Sequence, residues 1–152
     1  MDYKLYWSEN DLEMKNGVGF VLHKDIDACS QIEFVSDRII KLSVNWDGQK
    51  YNLIQIYAPQ VGCPKEEKMN FLNNLEEHLD CENLIVMGDF NAQVGSNRTG
   101  YEPTLGPHGI GERNVEGDHL LDLCLRSNLV ITNTWLKERD SHKFTRYNWD
   151  DK

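Results

Sequence analysis

The chain has 152 residues, of which 27% are charged, 39% hydrophobic and 10% aromatic, with a formal net charge of -9. These are the proportions of one ordinary globular domain, able to bury roughly 70% of its unfolded surface without covalent staples. No apolar stretch approaches the ~18 residues that a bilayer-spanning helix requires, and the first residues, MDYKLYWSEN, carry charges where a secretory leader needs an apolar segment.

Along the chain, YKLYW and GVGFVLHK predict two short strands, with Gly17 and Gly19 marking a bend or a close backbone approach. Arg38 to Asn45 (RIIKLSVN) and Lys50 to Tyr57 (KYNLIQIY) predict a hairpin about the Asp47-Gly48 turn. After Tyr57-Ala58-Pro59 the period changes. Pro64 suits a helix start, Glu66 and Glu67 suit the positive end of a helix dipole, and Phe71, Leu72, Leu75 and Leu79 share one face, predicting a helix from Lys65 to Asp80. Leu84 to Met87 is an unbroken apolar run, which predicts a strand covered on both faces and ending at Gly88-Asp89-Phe90-Asn91. A polar, Gly-rich loop from Gly95 to Gly117 is long enough to be functional or disordered. Asp118 to Asn128 predicts a second helix, with Leu120, Leu121, Cys124 and Leu125 at helical spacing, and LVITN (129–133) and the late HKFTRYNW predict further strands. Strands first, then a helix-strand-helix-strand alternation, predict a layered α/β domain with helices covering sheet faces.

The cysteines, Cys29, Cys63, Cys81 and Cys124, form no Cys-x-x-Cys pair and stand beside no histidine set at zinc spacing. They read as reduced packing residues of an intracellular protein. The acidic balance is the opposite of what a phosphate backbone asks of its partner. A divalent ion at an acidic site reverses that local field, and KERDSHKFTR (137–146) is locally basic. Its residues Lys137, Arg139, Lys143 and Arg146 read equally as a solvated face or a DNA-facing edge.

The candidate chemistry lies at the end of the run LIVMGDFNAQVG. In an extended segment residues i and i+2 point the same way, so Asp89 and Asn91 are expected to project together while Phe90 turns into packing. The same residue types are common turn formers, and a plain strand-ending turn is the competing reading. Tyr57 before Ala58-Pro59 reads likewise as a strand-ending aromatic or as a site residue. His108, Asn114 and His119 in the polar loop suggest a ligand set, against which stands the commoner case of lone loop histidines that are solvated or capping, and Asp118 reads as an acid near a helix start.

Gly88-Asp89-Phe90-Asn91 directly after a strand, with Tyr57-Ala58-Pro59 closing an earlier one, resembles the signature of the exonuclease, endonuclease and phosphatase superfamily of metal-dependent phosphodiesterases. GVGFVLHK, GPHGIGERNVEG, LLDLC, LVITNT and HKFTRYNW resemble the endonuclease domains of non-LTR retrotransposons and the craniofacial-development-protein-like branch, so the likeness covers nearly the whole chain. The resemblance implies a four-layer α-β-β-α sandwich, the DNase I-like fold. It implies Mg2+ (or Mn2+) as cofactor with no small-molecule cofactor, DNA as partner, a nuclear setting and no membrane. Residue by residue, Asp89 resembles the carboxylate that orients or deprotonates the attacking water and touches metal. Asn91 resembles the carboxamide that holds the phosphate and joins the metal shell, and Tyr57 the phenol that bonds the phosphate. Hydrolysis of a phosphodiester needs these types: a positioned water, charge relief on the non-bridging oxygens, and hard oxygen ligands for the metal.

The family pattern also has an upstream Asn and metal-binding Glu, a late Asp, and a final Ser-Asp-His, none of which has a match here. The expectation is therefore a single partial domain over residues 1–152, truncated at both ends, with impaired catalysis. The alternative is a catalytically dead remnant serving as a non-enzymatic binding module. Oligomeric state is open.

Overall fold

The order of elements in a computed structural model, which describes residues 2–9 and 16–139, is strand-rich at the start and helical later. Strands β1 (Tyr3–Glu9), β2 (Gly17–His23), β3 (Asp27–Ser36), β4 (Ile39–Trp46) and β5 (Gln49–Tyr57) precede helix α1 (Lys65–Glu76), strand β6 (Leu84–Asp89), helix α2 (Val115–Arg126) and a short 3-10 helix (Thr132–Thr134). The chain divides into two compact units, Met1–Asn91 and Ala92–Lys152.

In the first unit β1 and β2 form an antiparallel pair and the remaining strands form a sheet of order β3-β4-β5-β6. The β4–β5 hairpin closes at Asp47 and Gly48, whose φ values of 51° and 75° are the two positive angles of a type I′ turn. Its ladder runs without slip from Trp46↔Gln49 to Ile39↔Ile56. β5 and β6 are parallel, which requires a crossover, and α1 supplies it. Alternation along β2 buries Val18, Phe20 and Leu22, which join Ile40, Leu42 and Val44 of β4 in one apolar cluster between the sheets. The other face of the larger sheet carries buried Ile39, Ile54 and Ile56. Lys41 donates to the His78 carbonyl just beyond α1, and Arg38 pairs with Glu67 on it. The helix, with Phe71 and Leu75 buried, therefore lies against that face, and the unit stacks as α-β-β.

Several expectations are corrected. β6 is half-covered rather than buried on both faces: it is the last strand of its sheet among the described residues, and Ile85 is 46% exposed. β3 was not anticipated, because register shifts at two places break its alternation. α1 stops at Glu76, and the next residues tighten, with His78 and Leu79 donating to Leu75 and Glu76.

In the second unit α2 begins at Val115, earlier than expected, because Asn114 caps it, accepting from Gly117 N–H at 2.8 Å. The preceding loop is ordered by arginines. Arg113 donates to the Val94 and Asn97 carbonyls, pairs with Asp118 at 3.3 Å and lies 4.8 Å from the Tyr101 ring centroid. Arg98 donates to Leu105 O at 2.7 Å and to Glu102 O at 3.2 Å. LVITN is not a strand. Ile131 makes one parallel bridge to Leu105, and the 3-10 turn follows because the Thr134 hydroxyl donates back to Ile131 O at 2.6 Å and accepts from Gly106 N–H at 2.7 Å. HKFTRYNW lies outside the described residues.

Candidate functional site

Because β5 and β6 run parallel, their C-terminal ends reach the same sheet edge, where Tyr57 and Asp89 are the last register pair. Register partners place their side chains on one face of a sheet. Here it is the face that carries Leu53 and Met87, on which Tyr57 packs against the inter-sheet cluster while Asp89 stays exposed. Gly88 allows the approach. Its φ is 133°, and a Cβ there would stand 2.0 Å from the Ile56 carbonyl oxygen, so no other residue fits.

The strand then ends in a turn. Asp89 Oδ1 accepts from the backbone N–H of Asn91 at 2.9 Å, and Asn91 takes a left-handed φ of 46°, a conformation asparagine tolerates better than most residues. Asn91 Nδ2 donates to Ala58 O at 2.8 Å, and Ala58 N–H donates to Asp89 O at 2.8 Å. Asp89 and Asn91 are thus brought together by this turn and by Ala58, not by the strand alternation that the sequence suggested. The turn reading and the site reading describe the same geometry. Phe90 is half-buried.

Tyr57 is held from two sides. Its phenol oxygen accepts from Gln60 Nε2 at 3.1 Å, which leaves its own O–H to donate elsewhere. The Arg38 guanidinium carbon lies 5.6 Å from the ring centroid. Arg38 also donates to the Tyr57 carbonyl at 3.3 Å and to Glu67 Oε1 at 2.8 Å, while its own carbonyl accepts from Tyr57 N–H at 3.0 Å. The sequence reading assigns no role to Arg38 or Gln60, and gives Glu67 only that of an acid at the start of a helix. Counting equal steps outward from the Asp47-Gly48 turn pairs Arg38 with Tyr57, a signal that was present and unused.

Asp89 and Asn91 offer carboxylate and carboxamide oxygens, the hard donors that Mg2+ takes. Among the described residues no group of three or more His, Cys, Asp or Glu side chains is arranged to hold a metal ion, so the fit to Mg2+ rests on that oxygen pair. Asn114 has the capping role already described and also accepts from Gln93 N–H at 3.0 Å. His108 is half-buried, with its backbone N–H donating to Thr134 O at 2.9 Å, and His119 lies half-buried within α2. Lys137 and Arg139 are exposed, and Lys143 and Arg146 lie outside the described residues. No helix of the described residues is long and apolar enough to cross a membrane.

An α/β architecture of two sheets, with polar groups at the exits of β5 and β6, is the DNase I-like fold of endonuclease domains. The chain superimposes on the endonuclease domain of TRAS1, a telomere-specific non-LTR retrotransposon, with a TM-score of 0.58 and 17% identity, over 84% of this chain and 54% of that one. In sequence it is similar to craniofacial development protein 2 of Bos taurus, 30% identical over 151 residues, and of Tragulus javanicus, 29% identical over 151 residues. The alignments cover 95% of this chain but 25% and 26% of those proteins, so the chain spans about a quarter of the length of the curated relatives it matches. No family model matches. These likenesses bear out the resemblance to the retrotransposon-endonuclease and craniofacial-development-protein-like branch of the superfamily.

Proposed function

We propose that the chain is part of a single endonuclease-type domain that hydrolyses phosphodiester bonds in DNA with Mg2+ or Mn2+, in an intracellular, nuclear setting, and that Asp89, Asn91 and Tyr57 form its phosphate site. The observation that carries the reading is the knitting of these three residues through Ala58 at the joint exit of β5 and β6. One carboxylate oxygen of Asp89 is held by the Asn91 N–H, leaving the other to orient and deprotonate a water. Tyr57, its acceptor position filled by Gln60, donates its O–H to a non-bridging phosphate oxygen. The Asn91 carboxamide is fixed by Ala58, so its remaining N–H and its Oδ1 present to ligand without further ordering. Asp89 and Asn91 would hold the cation, which when bound supplies charge relief to the phosphate. The free thiols Cys63, Cys81 and Cys124 accord with a reducing compartment.

The test is nicking of supercoiled plasmid by the purified chain with Mg2+, beside an Asp89→Ala control. Weak metal-dependent nicking lost in the control supports the proposal, since the family's metal-binding Glu and final Ser-Asp-His have no match in this sequence and catalysis is expected to be impaired. DNA binding without nicking would favour the alternative, a non-enzymatic binding module, and neither binding nor nicking would refute both.

A further inference from the structure

We propose that Arg38, held by Glu67, is a positioning residue that sets the orientation of the Tyr57 ring; the inference rests on reading Tyr57 as the phosphate donor. Arg38 stands one residue before β4, opposite Tyr57, whose N–H donates to its carbonyl, and its side chain is only 14% exposed. A guanidinium is always charged and must be paired when it leaves water. Two of its three partners belong to one residue: the Tyr57 carbonyl at 3.3 Å and the Tyr57 ring, with the centroid at 5.6 Å. The third, Glu67 at 2.8 Å, stands in the first turn of α1 and fixes the other arm of the fork. Turning the ring or slipping the end of β5 would disturb contacts that one rigid planar group makes together. Gln60 fixes the hydroxyl end, so ring and phenol oxygen are constrained independently. A pair serving stability alone would need only the Glu67 contact. The additional engagement of ring and carbonyl ties the helix that crosses from β5 to β6 to the residue that would meet the phosphate.

Two readouts on the 152-residue chain test this, with Arg38→Met, Glu67→Gln, Tyr57→Phe and the Arg38→Met/Tyr57→Phe double variant. With 13C-labelled tyrosine rings, Arg38→Met should shift the Tyr57 ring resonances and speed its ring flips while Tyr101 stays unchanged, and Glu67→Gln should do the same more weakly. In plasmid nicking, Tyr57→Phe should lower the rate about tenfold in the parent and less than about twofold in the Arg38→Met background, the non-additivity of groups acting as a unit. Unchanged Tyr57 resonances in Arg38→Met, or additive rate losses, would overturn the proposal. Absence of nicking in every protein, parent included, would sink the nuclease reading while the ring resonances still decide the positioning role. Should Arg38→Met not fold, Arg38→Lys keeps the charge but lacks the fork, and the same resonances decide.

Discussion

Tyr57 and Asp89, on strands separated in sequence by α1, are joined through one residue: Ala58 follows Tyr57 and donates its N–H to the Asp89 carbonyl at 2.8 Å. The spacing between phenol and carboxylate is therefore set by backbone, not by side-chain packing. Backbone hydrogen bonds in a sheet hold position more tightly than loop contacts, which suits a site whose chemistry depends on alignment.

Asp89→Asn tests whether the carboxylate is chemical or structural. The side chain is exposed, and an amide oxygen can still accept from the Asn91 N–H, so the turn should survive and stability should stay within about 0.5 kcal/mol. The nicking rate should fall on the order of a hundredfold or more, because the replacement cannot take a proton from water. Thermal melts beside rate measurements separate the two, and a melting loss large enough to account for the rate would make Asp89 structural.

Gly88→Ala should be among the most damaging single-methyl changes in the chain. The backbone there is at φ 133° and the new Cβ would meet Ile56 O at 2.0 Å, so both conformation and space oppose it. A loss of roughly 3 kcal/mol or more is expected, read as a lowered urea midpoint. Ordinary stability in this variant would mean that β5 and β6 can separate at their ends at little expense.

Much of this arrangement was readable in the sequence where one local rule dominates. Asp47-Gly48 set the hairpin because both turn angles must be positive, and the placement of Tyr57 and Asp89 at strand exits followed from apolar runs ending in polar residues. The turn at Asn91 was not readable as such, because strand alternation and an Asp-initiated turn bring Asp89 and Asn91 together by different routes and share the same residue types. LVITN misled because its β-branched residues suit a strand, whereas the Thr134 hydroxyl binds Ile131 O and turns the backbone within three residues. Asn114, weighed beside His108 and His119 as a loop ligand, instead caps α2. Arg38 and Glu67 are distant in sequence, and no local pattern pairs them.

Asn114→Ala should destabilise the chain by about 1–2 kcal/mol for the lost helix cap. About 1 kcal/mol more should follow because the Gln93 N–H loses the same acceptor. Asn114→Asp keeps an acceptor oxygen and should recover most of the loss. Denaturant titrations of the two variants decide, and equal losses in both would show that the Asn114 amide nitrogen, not its oxygen, matters.

Burial pushes the Cys124 thiol from its ordinary value near 9 up to about 11. The unfolded thiol therefore gives up its proton near pH 9 while the folded one keeps it. The stability this group contributes is complete below pH 9 and is lost as pH rises towards 11, by roughly 3 kcal/mol. Tyr101 adds an alkaline limb of its own, since its hydroxyl donates to Asp122 and that bond holds its pKa above the usual 10. The informative quantity is accordingly the difference between the parent and Cys124→Ala. The parent should lose stability more steeply between pH 9 and 11, and at pH 8 a thiol reagent should modify half-buried Cys63 and Cys81 well before buried Cys124. Parallel pH profiles for the two proteins, or early labelling of Cys124 in the folded chain, would show that the α2 core admits water to this thiol.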